Sequence, residues 1–319
     1  MGKGTLLWTL AATAAMLGAC ANAAQDDGAP APSDDTRDAG SAPRSDAGAL
    51  PVAKDSGAPP DSDSGAVDDA SADANALPDA GPPALVYGHT SDTLFTFDPQ
   101  TKAQAKVGPF SGCTQGQVTA VIDLAVDELG DGFVTTFDGF YSVDLTTAQC
   151  TLIAKGAYPN SLSFVPKGTL DANEEALVGY SGSSYVRVDP KTGAVTAIGS
   201  LSNGYASSGD VVSVKGGGTF LTVTGNGCSD CVLQVNPATG ALVQSYGSLG
   251  RGAVYGLGYW AGTLYGFDEA GEVFAITGGD GQTATTVTVS TNVQTKWWGA
   301  GSTTSAPPRD GDGGAISTL

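Results

Sequence analysis

The chain has 319 residues, of which 33 are Asp or Glu, 14 are Lys or Arg and one is His, so its formal net charge at pH 7 is −19. Phosphate contacts need clustered positive charge, so this composition excludes a nucleic-acid-binding protein of the usual electrostatic kind. A multi-helix transporter is excluded too, because the one apolar run near membrane length lies at the N-terminus.

Residues 1–20 read MGKGTLLWTLAATAAMLGAC, a positive start followed by 15 apolar residues. Such a run is too short to span a bilayer comfortably and is typical of a signal-peptide core. Its last four residues, LGAC, resemble the bacterial lipobox, which implies cleavage after residue 19 and lipid attachment to Cys20. An ordinary secretory signal with a chance Cys is the alternative. In Gram-negative lipoproteins an Asp after the lipidated Cys favours inner-membrane retention, so Ala21 favours the outer membrane; the periplasmic or surface side stays open.

Residues 21–83 contain 17 Ala, 13 Asp, 9 Pro, 7 Ser and 6 Gly, and no aromatic residue. A segment of this composition cannot bury enough apolar surface to offset the entropy of ordering its backbone. We expect a disordered tether over 20–83 that holds a domain away from a membrane. A spacer that serves solubility alone is the other interpretation.

From residue 84 the sequence changes to alternating apolar and polar residues, which predicts a domain that is nearly all β. Self-comparison shows repeats: LFTFDPQTKAQAKVG, FYSVDLTTAQCTLIAKG, YVRVDPKTGAVTAIG, VLQVNPATGALVQSYG and a weaker VFAITGGDGQTATTVTV. Each copy predicts a hairpin, because Asp or Asn followed by Pro favours a turn and Gly193 and Gly240 can take a positive φ. Two further strands precede each hairpin except the first, which only one strand precedes.

Four strands in about 45 residues, repeated, are typical of a β-propeller blade. The first copy lacks an innermost strand, and the C-terminal KWWGAGSTT can supply it. We therefore predict five blades over 84–304, closed by Trp297 and Trp298 in a strand paired with residues 85–90. An open β-sandwich with coincidental repeats is the alternative, and residues 305–319 are expected to be a disordered tail.

These repeats resemble those of bacterial extracytoplasmic proteins with propeller-like LYxxDPxTGxxxxIG units, which are often lipid-anchored. The resemblance covers residues 84–304 and implies an architecture rather than a function. The turn also resembles part of the tryptophan-docking repeat of quinone-dependent dehydrogenases. No Trp follows the turn in any copy, so we expect no quinone and no other cofactor.

Four cysteines remain if Cys20 carries lipid, and an even number in an oxidising compartment indicates disulfides. Cys113 and Cys150 would link neighbouring blades. Cys228 and Cys231 would close a short bridge. A redox-active pair would need a helix N-terminus to lower a thiol pKa, and none is predicted. Two cysteines without neighbouring histidines offer too few ligands for zinc, so we expect no metal site.

No catalytic motif is present, and we name no catalytic residue. By analogy with other propellers, the ligand face carries the loops between second and third strands and those between blades. The candidate ligand-face residues are His89, Asp123, Tyr158, Tyr180, Tyr205 and Asp210. Asp123, Asp127 and Asp210 either form a metal or sugar site or cap turns at strand entries. Trp260, Trp297 and Trp298 either stack on a sugar or pack in the core.

The function favoured by these observations is that of a membrane-anchored lipoprotein, which displays a propeller as a binding or scaffolding module in the cell envelope. The alternative is a propeller-type hydrolase, glycosidase-like or lactonase-like, that uses channel carboxylates. The expected partners are the membrane, through the Cys20 lipid, and an envelope protein or glycan, with no nucleic acid. We expect a monomer.

Overall fold

The computed structural model describes residues 86–113, 120–278 and 283–307. The predicted signal peptide, Cys20, the tether and positions 308–319 of the predicted tail lie outside the described residues. Within the described ranges, no helix has the length and apolar character needed to cross a membrane.

The described residues form twenty β-strands connected by turns. In chain order they are β1 (Val86–His89), β2 (Thr93–Phe97), β3 (Gln104–Pro109), β4 (Val121–Val126), β5 (Gly132–Thr136), β6 (Gly139–Asp144), β7 (Gln149–Lys155), β8 (Ser161–Val165), β9 (Ala176–Ser181), β10 (Ser184–Val188), β11 (Val195–Ser200), β12 (Tyr205–Ser213), β13 (Thr219–Gly225), β14 (Cys228–Val235), β15 (Leu242–Ser248), β16 (Val254–Trp260), β17 (Thr263–Asp268), β18 (Glu272–Thr277), β19 (Thr285–Thr291) and β20 (Gly299–Gly301).

The strands form five antiparallel four-stranded sheets, which are the blades of a β-propeller. From the axis outward, blade 1 is β20-β1-β2-β3, blade 2 is β4 to β7, blade 3 is β8 to β11, blade 4 is β12 to β15 and blade 5 is β16 to β19. The innermost strands contact one another in the ring order β4, β8, β12, β16, β20 and back to β4. The prediction of an all-β, five-bladed propeller is confirmed.

The recurring turn joins the third and fourth strands of a blade. In blades 3 and 4, the side chains of Asp189 and Asn236 accept hydrogen bonds from the amides two residues on, at 2.8 and 2.9 Å. Gly193 and Gly240 have φ angles of 70° and 68°, as the sequence predicts. The turn motif therefore fixes the hairpins of the repeat through local hydrogen bonds and a left-handed residue.

Each pair of neighbouring blades encloses a cluster of buried apolar side chains, so the core is divided into five parts around the axis. The cluster between blades 5 and 1 includes Phe97, Tyr265, Phe267 and Trp297. Trp297 is fully buried and meets Phe95 and Phe267 edge-on, with ring centroids 5.4 Å apart in both cases. Blade-to-blade packing of large side chains is thus what holds the ring together.

Ring closure joins the two ends of the described chain in blade 1. Strand β20 pairs antiparallel with β1, with Gly88 opposite Ala300 and His89 opposite Gly299. The expected strand was longer and included both tryptophans; the observed strand is Gly299–Gly301, and the tryptophans directly precede it. The Trp298 amide still donates to the His89 carbonyl at 2.8 Å, but the Trp297 side chain packs into the blade interface instead of extending the ladder.

Gly88 makes room for that packing. A Cβ atom at this position would lie 2.9 Å from Cζ3 of Trp297 and 3.0 Å from Cε1 of Phe267. Packing also continues past the predicted end of the domain at residue 304, because Ala306 is buried in the cluster between blades 4 and 5.

Two disulfides are present, as the sequence predicts. Cys113 follows β3 and is bonded to Cys150 on β7, so this bridge links blade 1 to blade 2 across a Cα–Cα distance of 5.0 Å. Cys228 and Cys231 are bonded to each other at a Cα–Cα distance of 5.9 Å, and both lie on β14.

Candidate functional site at the propeller axis

Each innermost strand contributes one residue to a layer at the axis, which we call the hub. The hub residues are Asp123, Ser161, Asp210, Gly256 and Gly299. A Cβ atom on Gly256 would lie 2.8 Å from the backbone nitrogen of Ala300, and one on Gly299 would collide with the Asp123 carboxyl. Gly256 therefore allows the close approach of β16 to β20, and Gly299 leaves room for the Asp123 carboxyl.

Asp123 connects blade 2 to blade 3. Its Oδ1 atom accepts the Leu124 amide of its own strand at 2.9 Å, and its Oδ2 atom accepts the Leu162 amide of β8 at 2.6 Å. The side chain is fully buried. Both carboxyl oxygens thus accept hydrogen bonds from backbone amides, which take the place of water molecules.

Asp210 repeats this arrangement between blades 4 and 5. Its Oδ1 atom accepts the Val211 amide at 2.6 Å and its Oδ2 atom accepts the Leu257 amide of β16 at 2.7 Å. The Ala300 amide of β20 also forms a hydrogen bond that favours the charged carboxylate. Together the two aspartates bond to the backbone of all five innermost strands.

The two carboxyl groups also form a hydrogen bond with each other, and that bond requires a proton. Burial, and then the charge of Asp210, raise the pKa of Asp123 well above its usual range. Burial also raises the pKa of Asp210, but the hydrogen bonds from Leu257 and Asp123 act in the opposite direction. The pKa of Asp210 nevertheless also stays well above its usual range, and we infer that Asp123 carries the proton of this bond and donates it to Asp210.

His89 lies beside this pair, at the end of β1. It is fully buried, and its Nδ1 atom lies 2.9 Å from the Thr90 carbonyl, which can only accept, so Nδ1 carries the hydrogen. Burial lowers the pKa of His89 to about 4, so the ring is neutral at pH 7. Nε2 has no hydrogen-bond partner among the described residues and faces the same space beside Gly299 as the Asp123 carboxyl.

A pocket of about 300 Å³ opens on the axis directly above the hub, and we call it the funnel. Its lining is drawn from all five innermost strands or the residues just before them, together with one turn residue of blade 5. The lining residues are Ile122, Asn160, Ser208, Gly209, Tyr255, Glu269 and Trp298. Five of these directly precede a hub residue in the sequence.

β-Bulges aim several side chains into the funnel. The pairing register shifts between Val121 and Asp123, between Ser207 and Val211, and between Val254 and Gly256. Each shift leaves the funnel residue of that blade without a ladder partner, which turns its side chain away from the regular alternation. The bulges therefore direct side chains into the funnel wall and also make space for the hub residues beside them.

The funnel is amphipathic. Tyr255 and Trp298 are partly exposed there, and the Ser208 Oγ atom is buried without a hydrogen-bond partner in the described part of the chain. Glu269 is exposed at the rim, where Lys296 lies 3.5 Å from its Oε1 atom. Apolar walls with a few convergent polar groups are typical of small-molecule sites.

Five of the six predicted ligand-face residues divide into two groups. His89, Asp123 and Asp210 meet at the hub. Tyr158 and Tyr180 instead donate through their hydroxyl groups to the carbonyls of Gly193 and Gly240, at 3.0 and 2.8 Å, and so stabilise the recurring turns.

Four other predicted residues have separate positions. Tyr205 begins β12 and is half-buried against the cluster between blades 3 and 4. Asp127 caps the turn after β4 by accepting the amides of Leu129 and Asp131 at 2.9 and 2.8 Å. Of the tryptophans, Trp298 lines the funnel, whereas Trp260 is half-buried against the core.

Sequence reasoning did not identify Asn160, Ser208, Tyr255 and Glu269 as site residues. Aligning the five innermost strands on their hub position would have found the first three, since each lies one or two residues before it. Within the described ranges, no group of three or more His, Cys, Asp or Glu side chains is arranged to hold a metal ion.

No family model matches the chain, and no curated protein matches it. A structure titled as a nidogen/laminin complex is similar at 11% identity with a TM-score of 0.43, covering 68% of this chain and 97% of that one. A protein of unknown function from Bacteroides caccae is similar at 12% identity with a TM-score of 0.37, covering 64% of this chain and 72% of that one.

Proposed function

We propose that this chain is an exported lipoprotein whose propeller binds a small ligand in the axial funnel, as a binding module of the cell envelope. The observation that carries the proposal is the funnel itself, an amphipathic pocket to which every blade contributes a wall residue above the buried hub. Bulges that redirect side chains into a pocket are common next to functional sites. The hub below is fully bonded and holds the five strands in register around the pocket.

A hydrolase is the competing function, and the buried carboxyl pair with raised pKa values is the observation in its favour. Glycosidases need their two carboxyl groups about 5–9.5 Å apart, so that the scissile bond and water fit between them. Asp123 and Asp210 are instead hydrogen-bonded to each other, and their oxygens accept backbone amides. The pair thus supports a structural role better than a catalytic one.

The binding proposal is tested by calorimetric titration of the full chain with a panel of soluble monosaccharides, amino acids and small amines. At least one class should bind, and Trp298→Leu should weaken that binding. In parallel, chromogenic glycosides and lactones are incubated with the wild type and with Asp123→Asn. Turnover that Asp123→Asn abolishes would reject the binding module in favour of the hydrolase.

The anchoring proposal rests on the lipobox-like LGAC sequence and the composition of residues 21–83. Cys20→Ser should move the exported protein from the membrane to the soluble fraction, and the wild type should carry an acyl mass. Ala21→Asp is the matched variant: it should stay lipidated but move from the outer to the inner membrane. A membrane-bound Cys20→Ser protein, with no acyl mass on the wild type, would contradict the proposal.

A further inference from the structure

We propose that the funnel selects a small organic cation, an ammonium compound with a hydroxyl group, held between Trp298 and Tyr255 and beside Glu269. This inference rests on the proposed function and names the ligand class of the same site. Four features of the funnel support it: its size, its aromatic walls, its charge and its unpaired hydroxyl group.

The size limits the ligand to a small molecule or a single headgroup. A volume of about 300 Å³ lies at the lower end of the range for small-molecule pockets. Asp123 and Asp210 are fully buried next to the lining residues Ile122 and Gly209, so the aspartate pair closes the floor. A ligand therefore enters from the rim and does not pass through the ring.

The aromatic walls favour a cation. Tyr255 and Trp298 come from neighbouring blades, blade 5 and blade 1, and both side chains are partly exposed at the funnel. Trp and Tyr faces attract ammonium groups through the ring quadrupole, and the attraction grows as the site excludes water.

Among the described residues, the one charged side chain in the funnel lining is acidic. Glu269 stands at the rim, and no basic side chain in the described part of the chain lines the pocket. A low-dielectric pocket lined by one sign of charge concentrates counter-ions. Lys296 is the base paired with Glu269, and its side chain is 72% exposed, so a bound ammonium group can replace it at the carboxylate.

Ser208 supplies the polar contact. Its Oγ atom is buried at the funnel wall with no partner among the described residues, and leaving a buried hydroxyl unpaired carries a cost. A ligand hydroxyl or amine hydrogen would satisfy it. This requirement distinguishes choline or ethanolamine from tetramethylammonium, which carries charge but no donor.

The test is calorimetric titration of the full chain with choline, ethanolamine and tetramethylammonium. The neutral isostere 3,3-dimethyl-1-butanol and N-acetylglucosamine are titrated alongside. Choline or ethanolamine should bind at least about tenfold more tightly than the isostere, because the isostere keeps the shape and loses the cation–π and carboxylate attraction. Raising the salt concentration to 0.5 M should weaken the binding, because the rim charge is exposed.

Variants then locate the site. Trp298→Leu and Glu269→Gln should each weaken choline binding, by about fivefold or more for the tryptophan, whereas Lys296→Met should strengthen it. Ser208→Ala should reduce the preference for choline over tetramethylammonium. Glu174→Gln removes an acid from the turn region between β8 and β9 and should change nothing.

Three results would overturn the proposal. Equal binding of choline and its neutral isostere would show that charge is not recognised. Binding of N-acetylglucosamine but of no ammonium compound would retain the funnel as a binding site and reject its ligand class. Binding of choline that Trp298→Leu and Glu269→Gln leave unchanged would place the site elsewhere on the chain.

Discussion

At the scale of single residues, the proton between Asp123 and Asp210 is the most important feature of the hub. If Asp123 were ionised beside an ionised Asp210, two fully buried charges would face each other and their hydrogen bond would be lost. With the proton in place, the same two side chains join the backbones of five strands. The proton thus removes the repulsion between the two carboxyl groups and allows them to link the innermost strands.

This proton predicts a pH dependence with a definite sign. A carboxyl whose pKa is raised in the folded state adds stability that is complete below its unfolded pKa, near 4, and is lost as the pH rises through the folded value. Asp123→Asn cannot ionise. The free energy of unfolding of the wild type minus that of Asp123→Asn should therefore fall with rising pH above about 4, by at most about 1.4 kcal/mol per pH unit.

The wild type must be compared with Asp123→Asn, because the titration of His89 changes the stability with pH in the opposite direction. Burial lowers the pKa of His89 to about 4, so its contribution to stability rises with pH between about 4 and 6.5. Urea unfolding from pH 4 to 9 measures both curves, and above pH 6.5 His89 is neutral in the folded and unfolded states, so the difference there reports Asp123. Asp189→Asn is the control, since Asn236 occupies the equivalent turn position in blade 4. Parallel curves for the wild type and Asp123→Asn would contradict the shared proton.

Only part of this site could be predicted at the residue scale. Asp123 and Asp210 were recognisable as recurring carboxylates of innermost strands, because the repeat aligns them. Their hydrogen bond was not predictable, since it depends on how far the strands stand from the axis. The bulges at Ile122 and Tyr255 were also hidden, because a register shift leaves no mark in the alternation of so short a strand.

At the scale of elements, the hairpin turn was the most predictable part. Asp or Asn, Pro and Gly encode it locally, and two of its left-handed positions are the glycines that the sequence indicates. Lys102 and Ala148 take the same conformation, with φ of 62° and 58°, although neither residue favours it. There the fold imposes the turn on a residue that would not by itself predict it.

The two disulfides should differ in their effect on stability. Cys113 and Cys150 are 37 positions apart and Cys228 and Cys231 are three apart, so the first bridge restricts the unfolded chain more. Chain-entropy arguments give about 4 kcal/mol for the longer loop and about 2 kcal/mol for the shorter. Guanidinium unfolding of the two double Cys→Ser variants, without reductant, should show this order.

A second difference concerns where the bridges lie. The Cys113–Cys150 bridge joins two blades beside a backbone bridge between Ser111 and Gln149, whereas the other lies within one strand. Its removal should therefore also affect the contact between blades 1 and 2. Equal losses of stability in the two variants would indicate that neither loop length nor blade linkage determines the contribution.

At the scale of the whole molecule, the most important feature is the closure of the ring by β20 in blade 1. The sequence predicts the length of the repeat and the number of blades, because four strands recur about every 45 residues. It also predicts the use of the C-terminal segment in blade 1, because the first copy lacks a strand. The position of Trp297 did not follow. It is determined by the space beside Gly88 and Phe267, on segments distant in sequence.

Deletion of residues 297–319 removes β20 and Trp297, and should lower the melting midpoint sharply or cause aggregation through the exposed edge of β1. Trp297→Ala keeps the strand and should cost about 3–5 kcal/mol of unfolding free energy, because a large buried side chain is lost. Deletion of 308–319 is the control, since it removes none of these contacts. An unchanged melting transition without residues 297–319 would contradict the closure.

The pairing of β20 with β1 also fixes an order of events during synthesis. Because a chain is made from its N-terminus, β1 emerges long before the partner that covers its inner edge, and blades 2 to 5 are complete in between. The last blade to be finished is therefore the first one begun. Until residues 299–301 are available, the ring is open and the inner edge of β1 is unpaired. Any extended peptide nearby can then compete for pairing with β1.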